Sequence, residues 1–145
     1  MKNSKVLALD YGRSRIGAAT GDLSLGIAFP RKVIFNKGFE EVFAEVSKIV
    51  EEFGISIIVV GLPLSMQEGQ KENTILAEVG NFVDFLKEKM PQIKIELFDE
   101  RLSSYEADQL MNDHLVAETG SLGRDAYAAQ VILQRFFDKF NSSEV

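Results

Sequence analysis

The chain has 145 residues, no cysteine, a single histidine and a net charge of −6, with 46% hydrophobic and 26% charged residues. These totals describe one ordinary globular domain and exclude a disulfide framework, a thiolate nucleophile and a thiolate metal site. No apolar run approaches membrane-spanning length and no secretion pattern precedes Val6, so the expectation is a cytoplasmic protein without membrane contact.

Charge is uneven along the chain. Residues 1–37 carry seven Lys/Arg against two acids, and the remainder carries nine against twenty. A basic sector inside an acidic chain suits local contact with phosphate, although the overall balance speaks against a broad nucleic-acid surface.

Val6–Asp10 reads as a buried strand that ends in a carboxylate, followed by Tyr11-Gly12-Arg13-Ser14. A short second strand, Arg15–Thr20, follows closely enough to predict an antiparallel hairpin. Gly26–Phe35 is a third extended stretch. Its Pro30 suits an edge strand or a bulge. The period then changes to helical spacing: Phe39, Val42, Phe43, Val46, Ile49, Val50 and Phe53 predict an amphipathic helix over 39–53, stopped by Gly54. Its aromatic stripe reads as core.

Ile55–Val60 is continuous and β-branched, the pattern of a strand covered on both faces. Strand, helix, strand in this order implies a right-handed crossover onto a parallel strand. Residues 62–73 read as a long polar loop leaving a central strand. Thr74–Lys89 reads as a second helix ended by Pro91. Ile93–Phe98 is the next strand and runs into Asp99-Glu100-Arg101. Ser103 and Glu106 form a capping box for a short helix, and residues 114–123 lack periodicity. Arg124–Phe140 is the last helix, and residues 141–145 are expected to fray. The organisation is thus one domain over 1–140. No heptad seam marks an oligomer, so both monomer and homodimer remain open.

Three acidic positions stand out: Asp10 at the end of the first strand, Asp99 or Glu100 at the end of the last, and Asp125 at the start of the last helix. Asp125, Ala129, Ile132, Phe136 and Phe140 are spaced to share one helix face, which would set Asp125 at the open end of the packed stripe. Three converging carboxylates repel one another unless cations neutralise them. Hard divalent cations take such oxygen ligands, and a pair of them cuts phosphodiesters by in-line attack of water. Each acid also has an ordinary structural use, Asp125 as a favourable charge at a helix N-terminus and Glu100 as a surface partner for Arg101. His114 reads as a surface loop residue.

Leu9-Asp10-Tyr11-Gly12-x-x-Arg15-Ile16-Gly17, Val59-Val60-Gly61-Leu62-Pro63, Asp99-Glu100-Arg101-Leu102-Ser103-Ser104 and Asp125-Ala126-x-Ala128-Ala129-x-x-Ile132-Leu133-Gln134 resemble the signature blocks of the YqgF/RuvX family. The four blocks stand in order and cover nearly the whole chain. Ser103-Ser104 departs from the two threonines common in the family but keeps a hydroxyl cap.

The resemblance implies an α/β, ribonuclease H-like fold. Its five-stranded mixed sheet has the first three strands antiparallel, the others parallel to the first, and helices on both faces. It implies a Mg²⁺- or Mn²⁺-dependent endonuclease of structured nucleic acid, maturing the 5′ end of pre-16S rRNA, resolving Holliday junctions, or both. Asp10, Glu100 and Asp125 would be its metal-binding, catalytic carboxylates. Arg13, Arg15, Lys71 and Arg101 would contact the nucleic acid. Two other readings compete. One is a non-catalytic nucleic-acid or ribosome-assembly module with the same fold. The other is a phosphate-binding ATPase or sugar kinase of the actin-like group, which needs two such domains and therefore more chain.

Overall fold

The structure is a computed structural model. It describes residues 4–61, 70–98 and 123–143, with backbone alone for 70–74 and 141–143. Along the chain the elements are β1 (Lys5–Asp10), β2 (Arg15–Asp22), β3 (Ile27–Phe35), α1 (Phe39–Phe53), β4 (Ile57–Gly61), α2 (Gln70–Lys89), β5 (Lys94–Phe98) and α3 (Arg124–Ser143). The strands form one sheet in the order β3-β2-β1-β4-β5. β1–β2 and β2–β3 pair antiparallel, while β1–β4 and β4–β5 pair parallel. This is the mixed sheet expected from the sequence.

Alternation along β1 divides the core. Leu7 and Leu9 face α1 and α2 together with Ile16, Ala18, Ile58 and Val60. Val6 and Ala8 face α3 together with Ala19, Val59, Ile132, Leu133 and Phe137. A strand buried on both faces has no polar side to show, which is why β1 and β4 read as continuous apolar runs. β3 lies at an edge, and its register with β2 shifts between Ala18 and Ala19, with Pro30 opposite Ala19. The proline thus sits at an irregularity of an edge strand, where its missing N–H does not interrupt a ladder.

α1 ends at Gly54, whose φ of 65° is the left-handed conformation that closes a helix. Ile55, expected within β4, instead donates its N–H to the Val50 carbonyl and belongs to this turn. α2 begins at Gln70, one turn before the expected Thr74. The apolar period that reveals the helix starts only at Ile75, so periodicity misses a polar first turn. α3 runs to Ser143, past Phe140 where its apolar residues end. Its packed stripe also differs from the expected one. Ala126, Ala129, Ile132, Leu133 and Phe137 are buried, whereas Phe140 is exposed and Asp125 and Phe136 lie at the border. The cause is a close approach of helix to sheet that apolar spacing does not encode.

That approach is made possible by glycines. A Cβ on Gly21 would lie 2.8 Å from the Phe137 ring, and one on Gly61 would lie 2.6 Å from Ile132 Cδ1. A Cβ on Gly17 would strike the backbone carbonyl of Asp125, at the first turn of α3. Backbone cannot turn aside as a flexible side chain can. Gly17→Ala is therefore expected to lower the unfolding free energy by about 1–3 kcal/mol or more through overpacking. Gly80, in α2, has open space at its Cβ position. Gly80→Ala is expected to raise stability by about 0.4–1 kcal/mol. Urea denaturation of the two variants checks the opposite signs.

Candidate active site

The site is built at one rim of the sheet, where β1 and β4 end and β2 begins. Asp10 is in register with Gly17 on one side and Gly61 on the other. Side chains in register share a face of the sheet. Both glycines face α3, so Asp10 does too. Asp125 sits in the first turn of α3, above Gly17. Two of the expected acids are thereby brought to the same rim and the same face. The sheet delivers Asp10, and the bare strand at Gly17 lets the helix end that carries Asp125 come down beside it. The N-terminal end of a helix also favours a negative charge.

Arg15, two residues before Gly17, projects to this face as well. Its Nε lies 2.8 Å from Asp125 Oδ2. Arg13 goes elsewhere: its Nε lies 3.0 Å from Glu78 Oε1 on α2. The other oxygen of Glu78 accepts a hydrogen bond from the buried Tyr11 hydroxyl. Tyr11 also packs against Phe82, ring centroids 5.1 Å apart. The turn after β1 is therefore split, with Asp10 on the α3 side and Tyr11 and Arg13 anchored to α2.

A second brace comes from the end of β3. Asn36 donates its backbone N–H to the Ser14 carbonyl at 2.9 Å and its side-chain Nδ2 to the Gly12 carbonyl at 2.8 Å. Glu78 and Asn36 were not expected from the sequence. No local signal marks Glu78, which stands 67 residues from Tyr11.

Of the other expected site residues, Glu100, its neighbour Asp99 and Arg101 lie outside the described residues, as do His114 and the capping box at 103–106. Lys71 lies in the first turn of α2, where the backbone alone is described. Among the described residues no three metal-ligating side chains gather at one point.

The two described acids still fit a hard divalent cation. They offer carboxylate oxygens on one face of the rim, and Asp125 already engages a cationic group, the Arg15 guanidinium. An ion pair at a partly exposed site contributes at most about 1 kcal/mol, so a divalent ion can displace it.

Comparisons with known proteins agree with this architecture. The protein-family model of RuvX, described as Holliday junction resolvase, matches residues 4–139. A Chloroflexus aurantiacus protein named "Putative pre-16S rRNA nuclease" is 35% identical over 144 residues, spanning 99% of this chain and 92% of that protein. One of the same name from Anaeromyxobacter sp. is 36% identical over 135 residues, spanning 92% and 96%. Among solved structures, T. thermophilus RuvC in complex with Holliday junction substrate aligns with a TM-score of 0.59 at 12% identity, over 96% of each chain. That likeness shows a shared ribonuclease H-like fold.

The anchoring of Tyr11 has a measurable consequence. Burial, and then the hydrogen bond to Glu78, push its phenol up from 10 to about 12. A group whose value is raised on folding contributes stability that is complete below its unfolded value. Stability should therefore fall as pH rises from 10 through about 12. In Tyr11→Phe that dependence is expected to shrink, and guanidinium denaturation at stepped alkaline pH checks it.

Proposed function

Because the chain belongs to the RuvX family of Holliday junction resolvases, we propose that it is a divalent-metal-dependent endonuclease of structured nucleic acid. The observation that supports this reading is that Gly17 is in register with Asp10 and lies against the Asp125 backbone, so both acids belong to one face of one rim. The family name and those of its relatives point to branched DNA and to precursor 16S rRNA as substrates. The activity would belong to the cytoplasm, which suits a chain without cysteine. No helix among the described residues is long and apolar enough to cross a membrane.

Asp10, Asp125 and Glu100 are the proposed metal-holding carboxylates, with Mg²⁺ or Mn²⁺ as the ion. The choice of Glu100 over Asp99 rests on the resemblance of Asp99-Glu100-Arg101-Leu102-Ser103-Ser104 to the family's block. A divalent ion held there would supply an activated water and neutralise the leaving oxygen.

The chain's own residues set the geometry. Asp10 is held by two ladders, which fix its backbone between β2 and β4. Arg15 holds the Asp125 carboxylate at the rim. Its planar guanidinium would also suit a phosphate oxygen. Arg13 contributes by bracing the turn through Glu78, and its outer edge remains accessible to phosphate. Lys71 and Arg101 are proposed as further phosphate contacts.

The second reading, a binding module without catalysis, is favoured by one observation: Asp125 already has a cationic partner in Arg15. Incubation with paired RNA and DNA substrates, in Mn²⁺ and in chelator, separates the two. The nuclease reading expects cleavage in Mn²⁺ that chelator abolishes. Asp10→Asn and Asp125→Asn should each slow it more than about a hundredfold, since groups that merely support metal ligands already cost 10–100-fold. Both variants should keep the native circular dichroism spectrum. Retained cleavage in Asp10→Asn would remove that residue from the mechanism, and binding without product in every condition would favour the module.

A further inference from the structure

The proposed site has a neighbour that the metal chemistry does not use. Phe35, the last residue of β3, is 65% exposed and is in register with Arg15. It therefore stands on the α3 side of the sheet, one strand beyond Arg15 and two beyond β1, at the same rim. Directly opposed residues of an antiparallel pair hold their Cβ atoms about 5 Å apart. Among the described residues Phe35 stacks on no other ring and on no cation. Phe29, also exposed on β3, differs: the Arg31 guanidinium lies over it at 5.5 Å.

Lys37, exposed two residues on, has no ion pair among the described residues. The segment is rigidly placed. Asn36 bonds to the Ser14 and Gly12 carbonyls, and the Gly38 N–H bonds to Asn36 Oδ1 at 3.3 Å. The backbone that follows Phe35 is thus fixed against the turn that carries Asp10.

We infer that Phe35, flanked by Arg15 and Lys37, is a stacking platform for an unpaired nucleobase of the nucleic-acid substrate, next to the phosphate at the candidate active site. The inference rests on the nuclease reading and adds to it a preference for unpaired nucleotides beside the cut. An apolar ring with an arginine opposite it across the strand pair complements a nucleotide, which joins a flat apolar base to an anionic phosphate. On its other face the strand runs along a groove of about 430 Å³ against α1, whose lining includes Lys32, Lys37, Glu41 and Glu45. Lys32 is bound there to Glu45 at 2.9 Å. That wall offers a phosphate chain two carboxylates, so the base sits at the rim on Phe35 and not down the groove.

The test is binding without cleavage, in chelator, to short fluorescent single-stranded RNA and DNA and to a blunt duplex. Phe35→Ala is expected to weaken single-strand binding by about tenfold while leaving duplex binding and the melting temperature unchanged. Leu25→Ala removes an equally exposed apolar side chain in the turn before β3, away from the rim, and should bind as the native chain does. The chain has no tryptophan, so Phe35→Trp adds a sole indole, whose fluorescence should be quenched on addition of single strands. Unchanged affinity in Phe35→Ala, an equal loss on duplex, or an unquenched indole overturns the platform while native binding leaves the nuclease reading standing. Failure of the native chain to bind any of the nucleic acids overturns both.

Discussion

The contact between the first turn of α3 and the bare backbone of β2 at Gly17 is the constraint on which the site depends. Asp10 is fixed by the sheet alone, through its register with Gly17 and Gly61. Asp125 is not. It comes from the far end of the chain, and its position follows from how near a helix can lie to a strand. With any side chain at position 17 the helix end would have to rise or slide, and Asp125 with it. Gly21 and Gly61 extend the same smooth track, taking Phe137 and Ile132. The apolar contacts that stabilise this face of the molecule and the geometry of the candidate site are thus one set of interactions.

The two arginines of the β1–β2 turn have different work. Arg15 neutralises Asp125 and Arg13 neutralises Glu78. Neither pair is deeply buried, so neither adds much net stability, and their value is in placement. Arg13 and Tyr11 together tether the turn to α2, and Asn36 tethers it to the end of β3. A rim held from two directions keeps its carboxylate in place without the support of a bound ion. Such rigidity would suit the proposed site, where acids on one rim repel one another.

The edge of the sheet shows a similar economy. β3 could pair with another chain along its open side. Pro30, the register shift beside it, and the charges of Arg31 and Lys32 blunt that edge in the middle. Arg31 is held by Thr20 at 2.7 Å and lies over the Phe53 ring at 4.5 Å. The far end of the same strand is left with an exposed ring at the functional rim. One edge strand thereby discourages association along its length while offering a surface at its tip.

Much of this was legible in the sequence. Apolar runs and periods located the described strands and helices, because burial on two faces or one leaves a direct mark on residue choice. Abrupt acids after apolar runs marked Asp10 and the 99–100 pair, and the four blocks identified the family fold. What the sequence could not supply was anything decided by contact between distant segments. The helical period alone put Asp125 on the packed stripe, whereas the stripe runs through Ala126, Leu133 and Phe137, with Gly17, Gly61 and Gly21 receiving the first turn, Ile132 and Phe137. Glu78, Asn36 and Phe35 acquire their roles only from neighbours brought near by folding. Local pattern determined which faces are buried; the close approach of backbones, which depends on missing side chains across the interface, decided which polar groups meet.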